Sequence, residues 1–224
     1  MKLYSGPLSM FGAKVQIALH EKGMVYDLAM VPFDMHRLYD PKDSEVVRIN
    51  PKRQVPVLVD GDLELFDSTQ MFEYLENLQP SPPLWPSNTK ARAQARLLEH
   101  KSDEVYFPHV VRLMGLQDRP DDPLAIASRE GAARFHAEME RQLAGRSFLA
   151  GSFSFADIAF VMAQFFGERM GAPLTDASPY LVEWRTRMFA RSSVQIVLRP
   201  MIAYLASVGR PVPISLAKLS KPEL

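Results

Sequence analysis

Along the first eighty or so residues the spacing of apolar positions switches between two and about 3.6, and each switch marks an element. KLYSG (residues 2–6) reads as a short strand ending at Gly6-Pro7. Ser9 then precedes MFGAKVQIALHEKG, where Phe11, Val15, Ala18 and Leu19 recur at helical spacing. Ser9 suits an N-cap and Gly23 a stop. VYDLAMVPF predicts a second strand, giving β-α-β with a right-handed crossover. Residues 34–50 are irregular and charged, and predict a loop with a short helix. Val57, Leu58 and Val59 predict a third strand, Asp60-Gly61 a two-residue hairpin turn, and Leu63, Glu64, Leu65 and Phe66 the returning strand. In STQMFEYLENL, Met71, Phe72, Leu75 and Leu78 share one helical face.

QPSPPLWP (residues 79–86) ends that pattern, because its four prolines can neither continue a helix nor enter a sheet. Beyond it only helical patterning is convincing: residues 88–115, 123–145, 156–170 and 180–206. Pro108 is expected to kink the first of these. The organisation predicted is an α/β domain over residues 1–78, a semi-rigid linker over 79–87 and an all-helical domain over 88–224. GSFSFADIAF carries a capping box, Ser154 at N-cap and Asp157 at N3, bracketed by Phe153 and Ile158 as a hydrophobic staple.

Composition narrows the chemistry. With 224 residues and 47% apolar content the chain can bury a full core. A formal net charge of zero gives no global field toward nucleic acid or anionic lipid. No apolar run reaches the ~18 residues of a membrane span, and no charged-then-apolar leader pattern opens the chain, so a cytoplasmic location is expected. The absence of cysteine removes disulfides, thiolate zinc sites and a Cys nucleophile. His20, His36, His100, His109 and His136 show no metal-ligand spacing, so no metal is expected.

The chemistry concentrates in QVPVLVDGDLELFDSTQ (residues 54–70). Pro56 cannot donate to a ladder, so it begins the strand or lies at its edge, and it is a candidate for the cis isomer. A sharp turn there exposes the N–H and C=O of Val55. The hairpin ends at Asp67-Ser68, where a helix begins. Two sets of backbone groups thus face outward.

These pieces, in this order and at these separations, resemble the cytosolic glutathione S-transferase family, in its bacterial, serine-type form. The matching stretches are NPKRQVPVL, DGDLELFDSTQMFEYL, the proline-rich linker, SFADI and SPYLVEWRTRM. The resemblance spans nearly the whole chain. It implies a thioredoxin-like N-terminal domain, an all-helical C-terminal domain, a homodimer, and a site for glutathione as cosubstrate on the first domain.

On that resemblance Val55 exchanges two backbone hydrogen bonds with the cysteinyl unit. Ser68 offers hydroxyl and N–H to the γ-glutamyl carboxylate. Asp67 accepts from the α-ammonium group. Gln54 reaches the glycyl carboxylate, with Arg53 or His36 as helpers, although Arg53 stands where the family often has glycine. Ser9 matches the serine that activates the thiol, although Met10-Phe11 follow where the family often has proline. Ser5 and Tyr4 are its rivals. A small hydrophobic electrophile is expected against Met10, Phe11, Tyr106, Phe107, His109 and Met114, and Asp103 is a minor candidate for a contact with the partner's glutathione.

Two functions follow. One is an enzyme that adds glutathione thiolate to an electrophile or displaces a leaving group with it. Isomerase, dehalogenase, ether-cleaving and peroxide-reducing versions are all open, whereas the cysteine-dependent thiol-transferase versions are not. The other is a non-catalytic binding or regulatory protein on the same scaffold.

Overall fold

The computed structural model describes residues 1–40 and 42–216. The chain divides into two compact units, Met1–Pro82 together with Ser193–Val212, and Pro83–Ser192 together with Pro213–Ser215.

In the first unit β1 (Lys2–Ser5), α1 (Met10–Glu21) and β2 (Asp27–Met30) form the β-α-β. A short α2 (Ser44–Ile49), β3 (Val57–Asp60), β4 (Leu63–Phe66) and α3 (Ser68–Leu78) follow. The sheet order is β2-β1-β3-β4, with β1 parallel to β2 and the other two pairings antiparallel. This is the thioredoxin-like β/α arrangement. The central strand β1 and α1 supply the core, with Leu3, Val15, Ile17, Ala18 and Leu19 fully covered against Met71, Phe72 and Leu75 of α3.

Two local expectations are corrected. The hairpin loop is Gly61-Asp62, one residue later than Asp60-Gly61, because Asp60 pairs with Leu63. Gly61 takes φ +61 and is the only one of the two in the left-handed region, as a turn of the II′ kind with glycine first requires. Leu78 is 48% exposed rather than on the buried face, being the last residue of α3.

The linker side of this unit is held by Lys22. Its ammonium lies 2.7 Å from the Glu76 carboxylate and donates to Gln79 O at 2.7 Å and Pro82 O at 3.1 Å. Both side chains are almost fully covered. The prolines that forbid regular structure thus leave carbonyls which one buried ammonium collects.

The second unit is helical: α4 (Thr89–Lys101), α5 (Phe107–Met114), α6 (Pro123–Leu143), α7 (Phe155–Arg169) and α8 (Pro179–Phe189). Pro108 does interrupt its helix, through a π-helical turn at Ser102–Tyr106 between α4 and α5. Pro108 has no N–H for the i−4 carbonyl, and the Phe107 N–H bonds Ser102 O, five residues back. α7 runs through the centre and is covered nearly throughout. The capping box forms as expected, and Asp157 does more than cap. Its carboxylate accepts from Ser154 N (3.0 Å), Ser154 Oγ (3.2 Å), Leu149 N (2.9 Å) and Trp184 Nε1 (2.8 Å). Burial pushes this carboxyl up to about 6 in spite of those four donors.

The expected last helix over 180–206 is two helices, α8 and then α9 (Ser192–Ser207). The chain turns where Ala190 N bonds Thr186 O and Arg191 N bonds Met188 O. α9 groups with the first unit, where the Ser193 hydroxyl donates to Glu21 and the Tyr204 hydroxyl to Phe33 O.

Candidate functional site

The register of the sheet decides which loops meet. Tyr4 lies opposite Val57, and Val57 opposite Phe66. The C-terminal end of β1, the N-terminal end of β3 and the C-terminal end of β4 therefore share one edge. Strands are about 4.8 Å apart, so the segments leaving β1 and β4 are separated by roughly two spacings, with the entry to β3 between them. Ser9, Gln54-Val55 and Asp67-Ser68 all belong to those segments.

Ser9 is the N-cap of α1. Its backbone N–H bonds Gly6 O at 3.1 Å, closing the turn after β1, and its Oγ accepts from Gly12 N at 3.0 Å. A capping hydroxyl that accepts keeps its own proton to donate elsewhere. Gly12 is required by packing, since a Cβ there would lie 2.1 Å from Ser5 Oγ and 3.0 Å from Ser9 Oγ. The two rivals are placed differently. Ser5 is fully covered, and its Oγ accepts from Gln16 Nε2 at 3.1 Å. The Tyr4 ring belongs to a cluster with Val31, Val46 and Val57.

The entry to β3 is organised by a residue the sequence reading passed over. Asn50 is 4% exposed and ties its loop three ways. Its Nδ2 donates to Gln54 O at 2.6 Å, its Oδ1 accepts from Lys52 N at 2.9 Å, and its backbone oxygen accepts from Arg53 N at 2.7 Å. The Asn50-Pro51 dipeptide is the turn signal that would have found it. Arg53 takes φ +56, which explains why glycine suits that position. The Val55-Pro56 bond is cis. Val55 is half-buried and the Gln54 side chain is exposed.

At the third segment Asp67, not Ser68, is the N-cap of α3. Asp67 takes φ +78, and its Oδ1 accepts from Thr69 N at 3.0 Å and Gln70 N at 3.3 Å. Ser68, the first helical residue, is 5% exposed.

Tyr39 was also missed. Its phenol covers Gly6, where a Cβ would lie 2.2 Å from the hydroxyl oxygen, and its ring packs on Phe33 at 4.7 Å. Burial, with the nearby Tyr204, pushes the phenol well above its ordinary range, so it stays protonated.

Tyr106, expected in the electrophile's wall, is core. It is fully covered in the second unit, packs against Phe135 and Phe160, and bonds His136 Nε2 at 3.1 Å. Among the described residues no group of His, Asp and Glu could hold a metal ion, and no helix is long and apolar enough to cross a membrane.

Residues 3–83 match the family model for the Glutathione S-transferase, N-terminal domain, and residues 103–192 that for the Glutathione S-transferase, C-terminal domain. The chain belongs to the glutathione S-transferase family. It is similar over 98% of its length to a glutathione S-transferase from Rhodospirillum rubrum F11, covering 99% of that chain at 26% identity and a TM-score of 0.80. A glutathione S-transferase from Methylobacillus flagellatus KT, solved with glutathione bound, aligns with 88% of this chain and 98% of its own at 26% identity and a TM-score of 0.76. A relative of another name, the Stringent starvation protein A homolog of Coxiella burnetii, is 39% identical over 108 residues, 48% of this chain and 48% of its own. The chain thus spans about half the length of that curated relative.

Proposed function

We propose that the protein is a glutathione transferase that activates the glutathione thiol for attack on a small hydrophobic electrophile. The observation that carries this reading is the Ser9 hydroxyl, which caps α1 as an acceptor and keeps a proton to donate at the end of the sheet. A free thiol titrates near pKa 8.5, and lowering that by ~2 units takes about 2.7 kcal/mol of preference for the thiolate. A hydroxyl donating to the anion contributes roughly 1.5–3 kcal/mol. The N-terminus of α1 adds about 0.3–1 kcal/mol. Together they suffice.

The rest of the tripeptide is assigned by position. Val55 pairs with the cysteinyl backbone, Ser68 receives the γ-glutamyl carboxylate, Asp67 the α-ammonium and Gln54 the glycyl carboxylate. The Methylobacillus neighbour with its bound glutathione supports the ligand. On this reading residues 1–78 form the glutathione domain, 79–87 the linker and 88–224 the helical domain of a cytoplasmic homodimer; residues 217–224 lie outside the described residues, and α9 groups with the first unit.

The match to a Stringent starvation protein A homolog favours a second reading, a binding or regulatory protein of the same fold. The test is ultraviolet absorbance of thiolate in mixtures of protein and glutathione against pH, with turnover of a halogenated nitrobenzene alongside. A thiolate signal at pH 7 with turnover is expected. Glutathione binding without either would leave the second reading.

A further inference from the structure

A cavity of about 350 Å³ opens in the first unit between the loop that follows β2 and the C-terminal end of α9. Its lining includes Asp34, Met35, His36, Tyr204, Val208 and Arg210, and none of Ser9, Gln54, Val55, Asp67 or Ser68; only His36, a helper for the glycyl carboxylate on the resemblance, is common to the two sites. The Phe33 ring packs between Tyr204 (5.9 Å) and Tyr39 (4.7 Å), and Tyr39 covers Gly6. An aromatic wall therefore stands between this cavity and the turn that carries Ser9.

Two opposite charges are presented to the cavity by hydrogen-bonded turns. Asp34 Oδ1 accepts from His36 N at 2.8 Å and Arg37 N at 2.9 Å, and Asp34 N donates to Leu38 O at 2.8 Å. Both side-chain bonds go to Oδ1, which leaves Oδ2 as an acceptor. Those backbone donors, Arg37 first, hold the Asp34 carboxyl below its ordinary range, so it is ionised at neutral pH. Arg210 follows the Schellman end of α9. Its N–H bonds Leu205 O at 2.8 Å and the Gly209 N–H bonds Ala206 O at 3.1 Å, with Gly209 at φ +66. Among the described residues Asp34 and Arg210 form no ion pair with each other or with a third group. Opposite charges that share a cavity yet stand apart suit a dipolar guest that bridges them. The Tyr204 hydroxyl donates to Phe33 O and so offers its oxygen as an acceptor. Met35 and Val208 give the cavity apolar wall, and its volume is that of a small-molecule site.

We propose that this cavity binds the α-ammonium–carboxylate head of an amino acid, with the ammonium on Asp34 Oδ2, the carboxylate on Arg210 and His36, and an apolar side chain on Met35 and Val208. The head can come from a free amino acid or from the γ-glutamyl end of a second glutathione, distinct from the one assigned to Asp67 and Ser68. The site is independent of the thiol chemistry proposed above.

The probes are L-leucine, N-acetyl-leucine and leucinamide, titrated calorimetrically into the full chain, and into Asp34→Asn and Arg210→Gln. Leucine is expected to bind with millimolar affinity. Each blocked probe should bind at least tenfold more weakly. Asp34→Asn should erase the penalty of acetylation and Arg210→Gln that of amidation. Saturating S-methylglutathione that displaces leucine assigns the γ-glutamyl head as the source, and leucine binding that persists assigns a free amino acid. No binding of leucine, or equal binding of all three probes to the unmodified chain, overturns the proposal. Ser9→Ala should leave leucine binding unchanged, which separates a failure of this site from a failure of the transferase reading.

Discussion

Replacing Lys22 by methionine removes one ammonium and keeps most of the stem that packs beside it. Glu76 lies 2.7 Å away with a side chain only 9% exposed, so the variant takes a close counter-charge from a carboxylate with little water around it. Breaking such a pair from one side costs about 3–5 kcal/mol. A carboxylate that loses this counter-charge has an escape, which bounds the cost. Taking up a proton at pH 7 from a reference pKa of ~4.3 costs about 2.7 units at 1.36 kcal/mol each, or roughly 3.7 kcal/mol. The carbonyls of Gln79 and Pro82 add little, because both residues are exposed and water can replace the lost donor. The expected loss is therefore about 3–4 kcal/mol at pH 7, read as a lower urea midpoint at unchanged slope. The same escape costs only about 1 kcal/mol at pH 5, so the penalty should shrink toward acid. Lys22→Met with Glu76→Leu should regain most of the loss, since apolar replacement of a whole buried pair is close to neutral. A single variant that loses under ~1 kcal/mol at pH 7, or a double variant no better than the single, would refute the reasoning.

Ser9→Ala should raise the pKa of bound glutathione thiol by ~1–2 units with little change in affinity, measured by thiolate absorbance; an unshifted curve passes the role to Ser5 or Tyr4. Asp67→Asn with Ser68→Ala should weaken glutathione binding by roughly 1.5–3 kcal/mol for each charge-assisted hydrogen bond removed, by calorimetry, while Asn keeps the α3 cap and tolerates the positive φ. Wild-type affinity in that folded variant would remove the assignment. Burial, aided by the Arg185 charge, holds the His136 imidazole down to about 4, below its ordinary 6.5. The folded state then binds fewer protons than the unfolded chain, and up to about 3.4 kcal/mol of stability is lost as pH falls from 6.5 to 4. Asp157 titrates in the opposite sense, gaining stability as pH falls through about 6 toward 3.8. The readout is therefore the wild-type curve minus that of His136→Gln, and a flat difference counts against a neutral buried His136. Light scattering should find a dimer at micromolar concentration.

What the sequence made legible was local. The hairpin, the Ser9 cap, the Ser154–Asp157 box and the break at Pro108 each follow from neighbours within a few residues. Asn50 was equally local and escaped notice, whereas the other features that escaped it depend on partners farther along the chain. Lys22 reads as an ordinary surface lysine until Gln79 and Pro82, nearly sixty residues later, are seen to converge on it. Tyr39 gains its meaning only from Gly6, and Asp157 gains two of its four donors from Leu149 and Trp184. The division of 180–206 into α8 and α9 had a local signal, Ser192-Ser193 within an apolar pattern, but the reason for the break is that α9 groups with the first unit.

Capping geometry by itself does not mark a functional site in this chain. Asp43, Asp67, Asn88 and Asp122 all cap helices with side-chain oxygens, as Ser9 does. The distinction lies in what each cap has left to offer and in where the sheet register puts it, since Asp43 also accepts both of its bonds at Oδ1. Asp157 is fully covered and spends both oxygens on four protein donors, so its chemistry is finished inside the fold. Ser9 spends only an acceptor position and retains a proton. Asp67 accepts both of its bonds at Oδ1, which leaves Oδ2 at an exposed position. Both belong to segments that the sheet register brings to the same edge as the cis Val55-Pro56 bond. On the transferase reading proposed above, a ligand with a thiol at one end and an α-amino acid head at the other would meet a donor at Ser9 and an acceptor at Asp67, about two strand spacings apart. Unspent bonding capacity on two caps at one sheet edge is what separates this place from the other helix starts of the chain.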